Sequence, residues 1–440
     1  ASYTSFSLPL KNEERFSASG SEVLHTYWWE ALNDEKLDQH VQSALENNFS
    51  LAAAWERLNA ARALARREAS DLYPDLDLGG DAGVRIESGD SDDSFAVGPA
   101  ASYEIDLWGR IRASAAAEDL RAAASEEAYR TAALTLSSDI ALTWIQLIEA
   151  QNQLELLSSQ IDTNEKVLEI LNARFGIGLV RSEDILRQQL LIEALEAEKI
   201  NVEADLETLE HLLAVLKGEA PQNQIYELSE TLPLLPALPD TGVSSEFINR
   251  RPDIRAAILQ VEAADKDLAA AVRNQYPRIS LSASYISEAA SASNLFTDWI
   301  TLLAGSIVAP VLDGGERRAE VSRTEALRNE RVQLYAQTTL EAFQEVEDAL
   351  ILEQKQRERI ANLEKRLDLA QDTIEQIRTG YLNGANEFIS LLSAQVELQD
   401  IERDLLLARR NLVAFRISLY RALAGGFETP REQDNTGDDM

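Results

Sequence analysis

A unit of roughly 200 residues is written twice in this 440-residue chain, and nothing else narrows its fold as far. Phe175-Gly176-Ile177-Gly178 and Tyr381-Leu382-Asn383-Gly384 share an aromatic-x-x-Gly pattern at an offset of 206. The same offset carries Ile185-Leu186 onto Leu391-Leu392 and Gln189 onto Gln395. Tyr73-Pro74 recurs as Tyr276-Pro277 at an offset of 203, and Trp108-Gly109 falls on Gly314-Gly315, again at 206. Ordered landmarks at nearly one spacing predict two similar halves of one body rather than two unrelated domains.

In each half a long helical stretch runs into the aromatic-x-x-Gly turn. Between Gly109 and Gly176 there is neither Pro nor Gly. Such a helix is ~100 Å long at ~1.5 Å per residue, so it must pack along other rods. The heptads agree: Ile140, Leu147, Leu154, Ile161 and Leu168 recur every seven residues. Leu391, Leu398, Leu405, Leu412 and Leu419 do the same, with Ala394, Ile401, Ala408, Phe415 and Ala422 three places after each. Each half therefore predicts an antiparallel helical hairpin, about 109–216 and about 316–424. Shorter helices are expected over 35–48 and 50–73, the second stopped by Tyr73-Pro74 because proline disfavours the helical conformation in the residue before it.

Ahead of each hairpin the apolar period changes from about 3.6 to 2. Leu76, Leu78, Ala82, Val84 and Ile86 alternate with Asp75, Asp77, Asp81 and Arg85. After a polar turn from Glu87 to Ser94, containing Gly89-Asp90, a return strand sets Phe95, Val97, Ala101, Tyr103 and Ile105 against Ser102, Glu104 and Asp106. The second half repeats the pattern, with Ile279, Leu281, Ala283 and Tyr285 alternating with Arg278 and three serines. Two strands are thus expected over about 75–108 and two over about 278–312.

The division that follows is an N-terminal segment with its short helix over 1–49, a first repeat over 50–216, and a linker over 217–249 punctuated by Pro221, Pro233, Pro236 and Pro239. A second repeat covers 250–426, and an acidic tail over 427–440, with Asp434, Asp438 and Asp439, reads as disordered.

Four amphipathic strands cannot close a barrel, since transmembrane barrels start at eight strands, so a membrane-embedded chain must assemble with copies of itself. The face bearing Asp75, Asp77, Asp81, Glu104 and Asp106 then points into a wet lumen, and the apolar face meets lipid. The alternative is a soluble β-layer packed on helices. No apolar run approaches the ~20 residues of a membrane helix, a test that β-strands escape. The start at Ala1-Ser2-Tyr3-Thr4 has neither the basic nor the apolar region of a signal peptide, so any such segment is expected to have been removed. With 75 acidic against 41 basic residues the formal charge is −34, which repels nucleic acid and attracts cations. No Cys means no disulfide, thiolate metal site or Cys nucleophile.

Several motifs together carry a resemblance. Trp28-Trp29 followed by Ala44-Leu45-Glu46-Asn47-Asn48, the junction Asp106-Leu107-Trp108-Gly109-Arg110, and Arg250-Arg251-Pro252-Asp253-Ile254-Arg255 followed by Tyr276-Pro277-Arg278-Ile279 are similar to the TolC family of outer-membrane efflux channels. Tyr381-x-x-Gly384 with Leu391-Leu392-x-Ala394-Gln395 resembles the second hairpin tip of that family, most closely of its OprM-like branch. The similarity covers nearly the whole chain. It implies a mainly α chain with a membrane β-barrel portion, and a homotrimer in the outer membrane of a Gram-negative bacterium. The trimer would form a twelve-stranded β-barrel above a twelve-helix periplasmic α-barrel closed at its far end. The N-terminal segment, the linker and the C-terminal region would form an equatorial belt. The implied function is the exit duct for drugs, detergents and other small toxic compounds. The implied partners are an inner-membrane efflux pump, a periplasmic adaptor (membrane fusion) protein and outer-membrane lipid. A channel for type I protein secretion shares the architecture, and a soluble periplasmic coiled-coil scaffold is the reading from another class. OprM-like members commonly begin with a lipidated Cys; here it either precedes Ala1 or the barrel anchors the protein alone.

No enzyme constellation stands out, and no cofactor or metal is implied. His25, His40 and His211 have no patterned partners and read as surface or packing residues, while Glu345, Glu347 and Asp348 read as an acid cluster or a solvated helix face. Pro252-Asp253 fits a helix start, with Arg250 and Arg251 structural. The functional expectation rests on the two tips. In OprM-like channels an acidic residue shortly after the tip Gly384 lines the aperture; here Asn386 holds that place and Glu387 follows. The first tip offers Arg181, Glu183 and Asp184, and Tyr381, Arg174 and Arg378 are the partners that could hold the aperture shut. Threefold copies of a carboxylate around a narrow axis repel one another and attract cations. The plainer reading is that these charges cap helix ends in water.

Overall fold

The computed structural model describes residues 16–87, 90–222, 224–242 and 244–437. The expectations for residues 1–15, Gly89, Asp438 and Asp439 lie outside them. The helices are α1 Glu35–Asn47, α2 Phe49–Ser70, α3 Arg110–Gly176, α4 Ser182–Leu216, α5 Ser244–Arg250, α6 Pro252–Arg273, α7 Glu316–Leu382, α8 Phe388–Leu423 and α9 Pro430–Gly437. The strands are β1 Asp75–Glu87, β2 Asp90–Ile105, β3 Arg278–Ala289 and β4 Ile300–Val308. The run α2-β1-β2-α3-α4 is answered by α6-β3-β4-α7-α8, and α3 and α7 are each 67 residues long. The chain divides into two compact units, residues 54–129 with 253–338, and residues 1–53 with 130–252 and 339–440.

The first unit holds one antiparallel sheet in the order β1-β2-β3-β4. β1 and β2 pair from Asp75↔Ser102 to Glu87↔Asp90, so residues 90–94, expected in the turn, are strand. β2 also pairs with β3, from Phe95↔Ala289 to Ile105↔Ile279, but the ladder skips Gly98 and Pro99, since Pro99 has no N–H to donate. At Gly98 the strands approach so closely that a Cβ would sit 2.1 Å from the Tyr285 carbonyl oxygen. β4 stops at Val308, short of the expected 312, two residues before Pro310.

Aromatic side chains mark both ends of this sheet. Trp108 stacks on Tyr276 with ring centres 5.0 Å apart and donates its indole N–H to the Pro277 carbonyl at 2.7 Å. Tyr285 stacks on Trp299 at 4.6 Å. From Tyr276 to Tyr285 the strand climbs ~30 Å at ~3.3 Å per residue, which a tilt of about 40° reduces to the ~25 Å of an outer-membrane apolar band. Between these pairs Leu281, Leu302 and Leu303 are exposed.

The second unit is helical. One stretch of α3 is long and apolar enough to cross a membrane by length and composition, but 67% of it is buried within the chain. Each hairpin has its own core: Leu157, Ile161 and Leu195 with Val202 in the first, Leu363, Leu405 and Ala408 with Leu367 in the second. Leu157/Leu363, Ile161/Leu367 and Val202/Ala408 stand at the offset of 206 that the tips show.

Two buried charges tie the remaining segments to these rods. The Asp34 carboxylate accepts from the backbone N–H of Lys36 and Leu37 at the start of α1, from the Trp144 indole of α3 at 2.9 Å and from the Ser229 hydroxyl of the linker at 3.0 Å. The guanidinium of Arg416 on α8 is fully buried, donates twice to Glu353 of α7 at 2.7 and 2.8 Å, and also donates to the Pro236 and Ala237 carbonyls of the linker at 3.0 Å.

The expected disordered tail is instead helical over Pro430–Gly437. Thr429 is buried, and its N–H and hydroxyl both donate to the Glu432 carboxylate, which closes the start of this helix with Pro430 in the first turn. Arg130 donates to the same carboxylate at 3.1 Å.

Removing Arg416 leaves the Glu353 side chain, 2% exposed, with only the half-exposed Arg357 at 2.9 Å as its basic partner. We predict that Arg416→Met costs about 3–5 kcal/mol, read as a large fall in the midpoint of helix loss on heating, and that adding Glu353→Leu recovers most of it. An unchanged midpoint in the single variant would show that the clamp is dispensable.

Candidate functional site

The two hairpin tips are built alike. At the first, Gly178 N–H donates to the Phe175 carbonyl at 2.9 Å and Leu179 N–H to the Arg174 carbonyl at 3.0 Å. At the second, Gly384 N–H donates to Tyr381 at 3.1 Å and Ala385 N–H to Gly380 at 2.8 Å. Both patterns are Schellman caps, and both need the left-handed backbone that glycine adopts freely; φ is +77° at Gly178 and at Gly384. The tips share one apolar cluster of Leu171, Val180 and Phe388, with Tyr381, Ile185 and Leu392 against it. The Arg174 guanidinium lies over the Tyr381 ring, 5.2 Å from its centre, so two of the expected gate residues meet within one chain.

The charged residues separate into bound and free. Asn386 turns back on its own helix and donates its amide N–H to the Ile377 carbonyl at 3.3 Å. Gly380 makes room for it, since a Cβ there would sit 2.3 Å from the Asn386 nitrogen. Asp184 is 7% exposed and accepts from the Arg181 backbone N–H at 3.4 Å, as a third-position acid closes a helix start. Arg181 pairs with Glu183 at 2.8 Å, which leaves the first tip close to neutral locally. Glu387 is exposed at the start of α8 and its side chain caps nothing, and Arg378 is exposed with no partner among the described residues.

The acids expected in the barrel lumen also divide. Asp75, Asp77 and Asp81 are exposed on β1. Asp106 instead caps α3, accepting from the backbone N–H of Ile111 at 3.1 Å and Arg112 at 2.9 Å and from the Arg112 side chain. Burial raises its pKa, but these donors outweigh burial and hold it below the usual carboxylate range. Glu104 pairs with Arg110 at 2.8 Å. Asp313 repeats the device at the start of α7; hydrogen bonds from the Gly315 N–H, then from Arg317, hold its carboxyl low. The junction motif therefore positions rods, and neither Asp106 nor Glu104 is a free lumen charge in the protomer.

The remaining candidates are structural. His40 packs on Trp144 and Tyr226, and burial first, then the Lys217 charge, lower its pKa to about 4. Glu345 pairs with Arg251 at 2.9 Å and Glu347 accepts from the Ser17 N–H, so that acid group is tied into the packing. Among the described residues no group of three or more His, Cys, Asp or Glu is placed to hold a metal. The aromatic pairs at the sheet ends were passed over in the sequence, although aromatics just outside two amphipathic strands are a readable signal.

Comparison with known proteins adds three findings. The family model described as outer membrane efflux protein matches residues 40–219 and 243–425. The pyoverdine export outer membrane protein OpmQ of Pseudomonas aeruginosa is 31% identical, over 92% of this chain and 88% of its own length. The solvent efflux pump outer membrane protein SrpC of Pseudomonas putida is 29% identical, over 90% and 87%. Among solved structures, the outer-membrane channel OprN superposes with a TM-score of 0.89 at 26% identity, covering 96% of this chain and 98% of that one.

Gly178→Ala and Gly384→Ala meet no neighbouring atom within 4 Å, so backbone strain is their whole cost. Each should loosen its tip by ~1 kcal/mol, seen as roughly five-fold faster proteolytic nicking there. Gly176→Ala, also in open space but with helical φ, is the control that should change nothing.

Proposed function

The chain belongs to the outer membrane efflux protein family, and from that membership we infer that three copies form the exit duct of a tripartite efflux system. The observation that carries this is the open sheet. Its four strands leave β1 and β4 each paired on one side only among the described residues, and closed membrane barrels need at least eight strands. Three copies supply twelve. The aromatic pairs, ~30 Å apart along the strand and so ~25 Å apart in height at a barrel tilt of about 40°, fit the two interfaces of an outer membrane. An inner-membrane pump and a periplasmic adaptor are the partners such a duct requires. Relatives named for pyoverdine export and for solvent efflux favour small compounds over secreted polypeptides as cargo. We read the duct as a passive conduit with no catalytic step.

The gate lies at the tips. Of the acids there, Glu387 is the free one, since Asp184 is buried and Glu183 is paired. Copies of Glu387 around the axis give the aperture a negative ring, and the rigid Schellman turns oblige opening to occur by movement of whole tips. Contacts with adaptor and pump that differ between shut and open states supply the driving force.

Currents through the detergent-extracted oligomer in a planar bilayer test the reading. Small cation-selective steps are expected, and Glu387→Lys should reduce the cation preference while Asp184→Asn leaves it unchanged. Folded protein that never inserts would refute the duct; insertion with selectivity indifferent to residue 387 would move the gate elsewhere.

A further inference from the structure

β4 carries large apolar side chains on both of its faces. Trp299 stacks on Tyr285, and Tyr285 is paired with Thr301, so Thr301, Leu303 and Ile307 share the face of the aromatic pairs, which meets lipid. Ile300, Leu302 and Val308 fall on the opposite face, the one that carries Asp75, Asp77 and Asp81 on β1. Ile300 and Leu302 are 57% and 60% exposed there. Closing the barrel pairs β4 through its backbone edge and leaves both side chains facing the lumen. Large aliphatic side chains grouped on a water-filled wall mark a surface that something apolar contacts.

The strand register shows what surrounds them. One row across the lumen face runs Asp77, Ala100, Ser284, Leu302. In the next row Ile286 is paired with Ile300, level with Gly98 and Gly79. Beyond it stand Asp81, Ala96 and Glu288. Gly79, Gly98, Ala96 and Ala100 thus make a floor without large side chains. Ile286, Ile300 and Leu302 wall it on one side, and Asp77 and Asp81 wall it on the other. The two walls are ~10–14 Å apart, two to three strand spacings of ~4.8 Å, and barrel curvature turns them toward each other. Asp77, Asp81 and Glu288 are exposed and have no basic partner among the described residues.

We propose that this trough in the barrel wall is a binding site for amphiphilic organic cations. The apolar body lies across the Gly98-Ala100 floor against Ile286, Ile300 and Leu302, and the cationic head sits between Asp77 and Asp81. Neither half of the trough selects such a molecule alone. The aliphatic wall would take any apolar body, and the carboxylates would attract any cation. Held one trough-width apart, they favour a molecule that carries both properties at that separation, and they repel an anion of the same shape. The proposal rests on the duct reading above, which makes this face the lumen, and adds a ligand site to it.

The chain has no cysteine, so one introduced thiol reports alone. Ser284→Cys places it on the trough floor, between Ala100 and Leu302. In outer membranes holding the trimer, a trimethylammonium methanethiosulfonate should modify this thiol from the water. Octyltrimethylammonium, below its micelle-forming concentration, should slow that reaction where equal octanesulfonate or tetramethylammonium does not. Adding Leu302→Ser should weaken the protection about ten-fold, as expected when one such apolar contact is lost. Adding Asp77→Asn and Asp81→Asn should abolish the preference for the ammonium over the sulfonate. Ser280→Cys, on the same face two rows away, should react equally with and without the amphiphile. A Ser284→Cys thiol that reacts readily but is slowed by none of the three compounds, or by all three alike, would overturn the trough and leave the duct standing. A thiol there as unreactive as that of Leu303→Cys, on the opposite face, would overturn the lumen assignment and the trough with it.

Discussion

A β-strand in hydrocarbon must place every backbone N–H and C=O in a hydrogen bond, because no water is present to take the remainder and each orphan group costs several kcal/mol. This constraint governs the rest of the structure. The β1-β2-β3-β4 sheet ends in two edges, so a single copy cannot stay in a membrane. Closure needs other copies, and closing by copies fixes an axis. Inside the sheet the β2–β3 ladder is interrupted at Gly98 and Pro99, where a Cβ on Gly98 would meet the Tyr285 carbonyl.

The helical unit solves a different problem, which is to hold loosely patterned segments onto very regular rods. Heptads alone do not fix where the linker lies. Buried charges do, because a charge out of water tolerates few geometries. Arg416 holds the carbonyls of Pro236 and Ala237, and Asp34 holds Ser229. The duplicated units therefore stay similar in their apolar cores while differing in these polar fasteners.

Most of the architecture was legible because it depends on period and punctuation. The absence of Gly and Pro between Gly109 and Gly176 foretold α3, and the tip glycines foretold where both turns fall, though the helices flanking the second tip end at Leu382 and start at Phe388 rather than at about 379 and 386. Tertiary partnership was harder to read. Asp106 sits on the charged face of a strand pattern, yet it is spent capping α3, and no alternation of residue types distinguishes those roles. Asp184 and Glu387 are both acids a few residues after a tip glycine, but one is buried and one is bare. The C-terminal helix does carry a signal in the sequence, since Thr429-Pro430-Arg431-Glu432 fits the Thr-x-x-Glu pattern of a helix start, but composition alone makes the segment read as a tail.

The tips carry a consequence for how such a chain can change over time. Their turns are set by two glycines and by backbone hydrogen bonds, while the side chains of Ile177, Leu179 and Leu382 stand out with 72%, 65% and 62% exposure and take no part in those bonds. Shape and surface are thus written in different residues. The outermost apolar side chains can be exchanged for others without rebuilding the turn, so the surface of the tip is free to drift while its shape stays fixed.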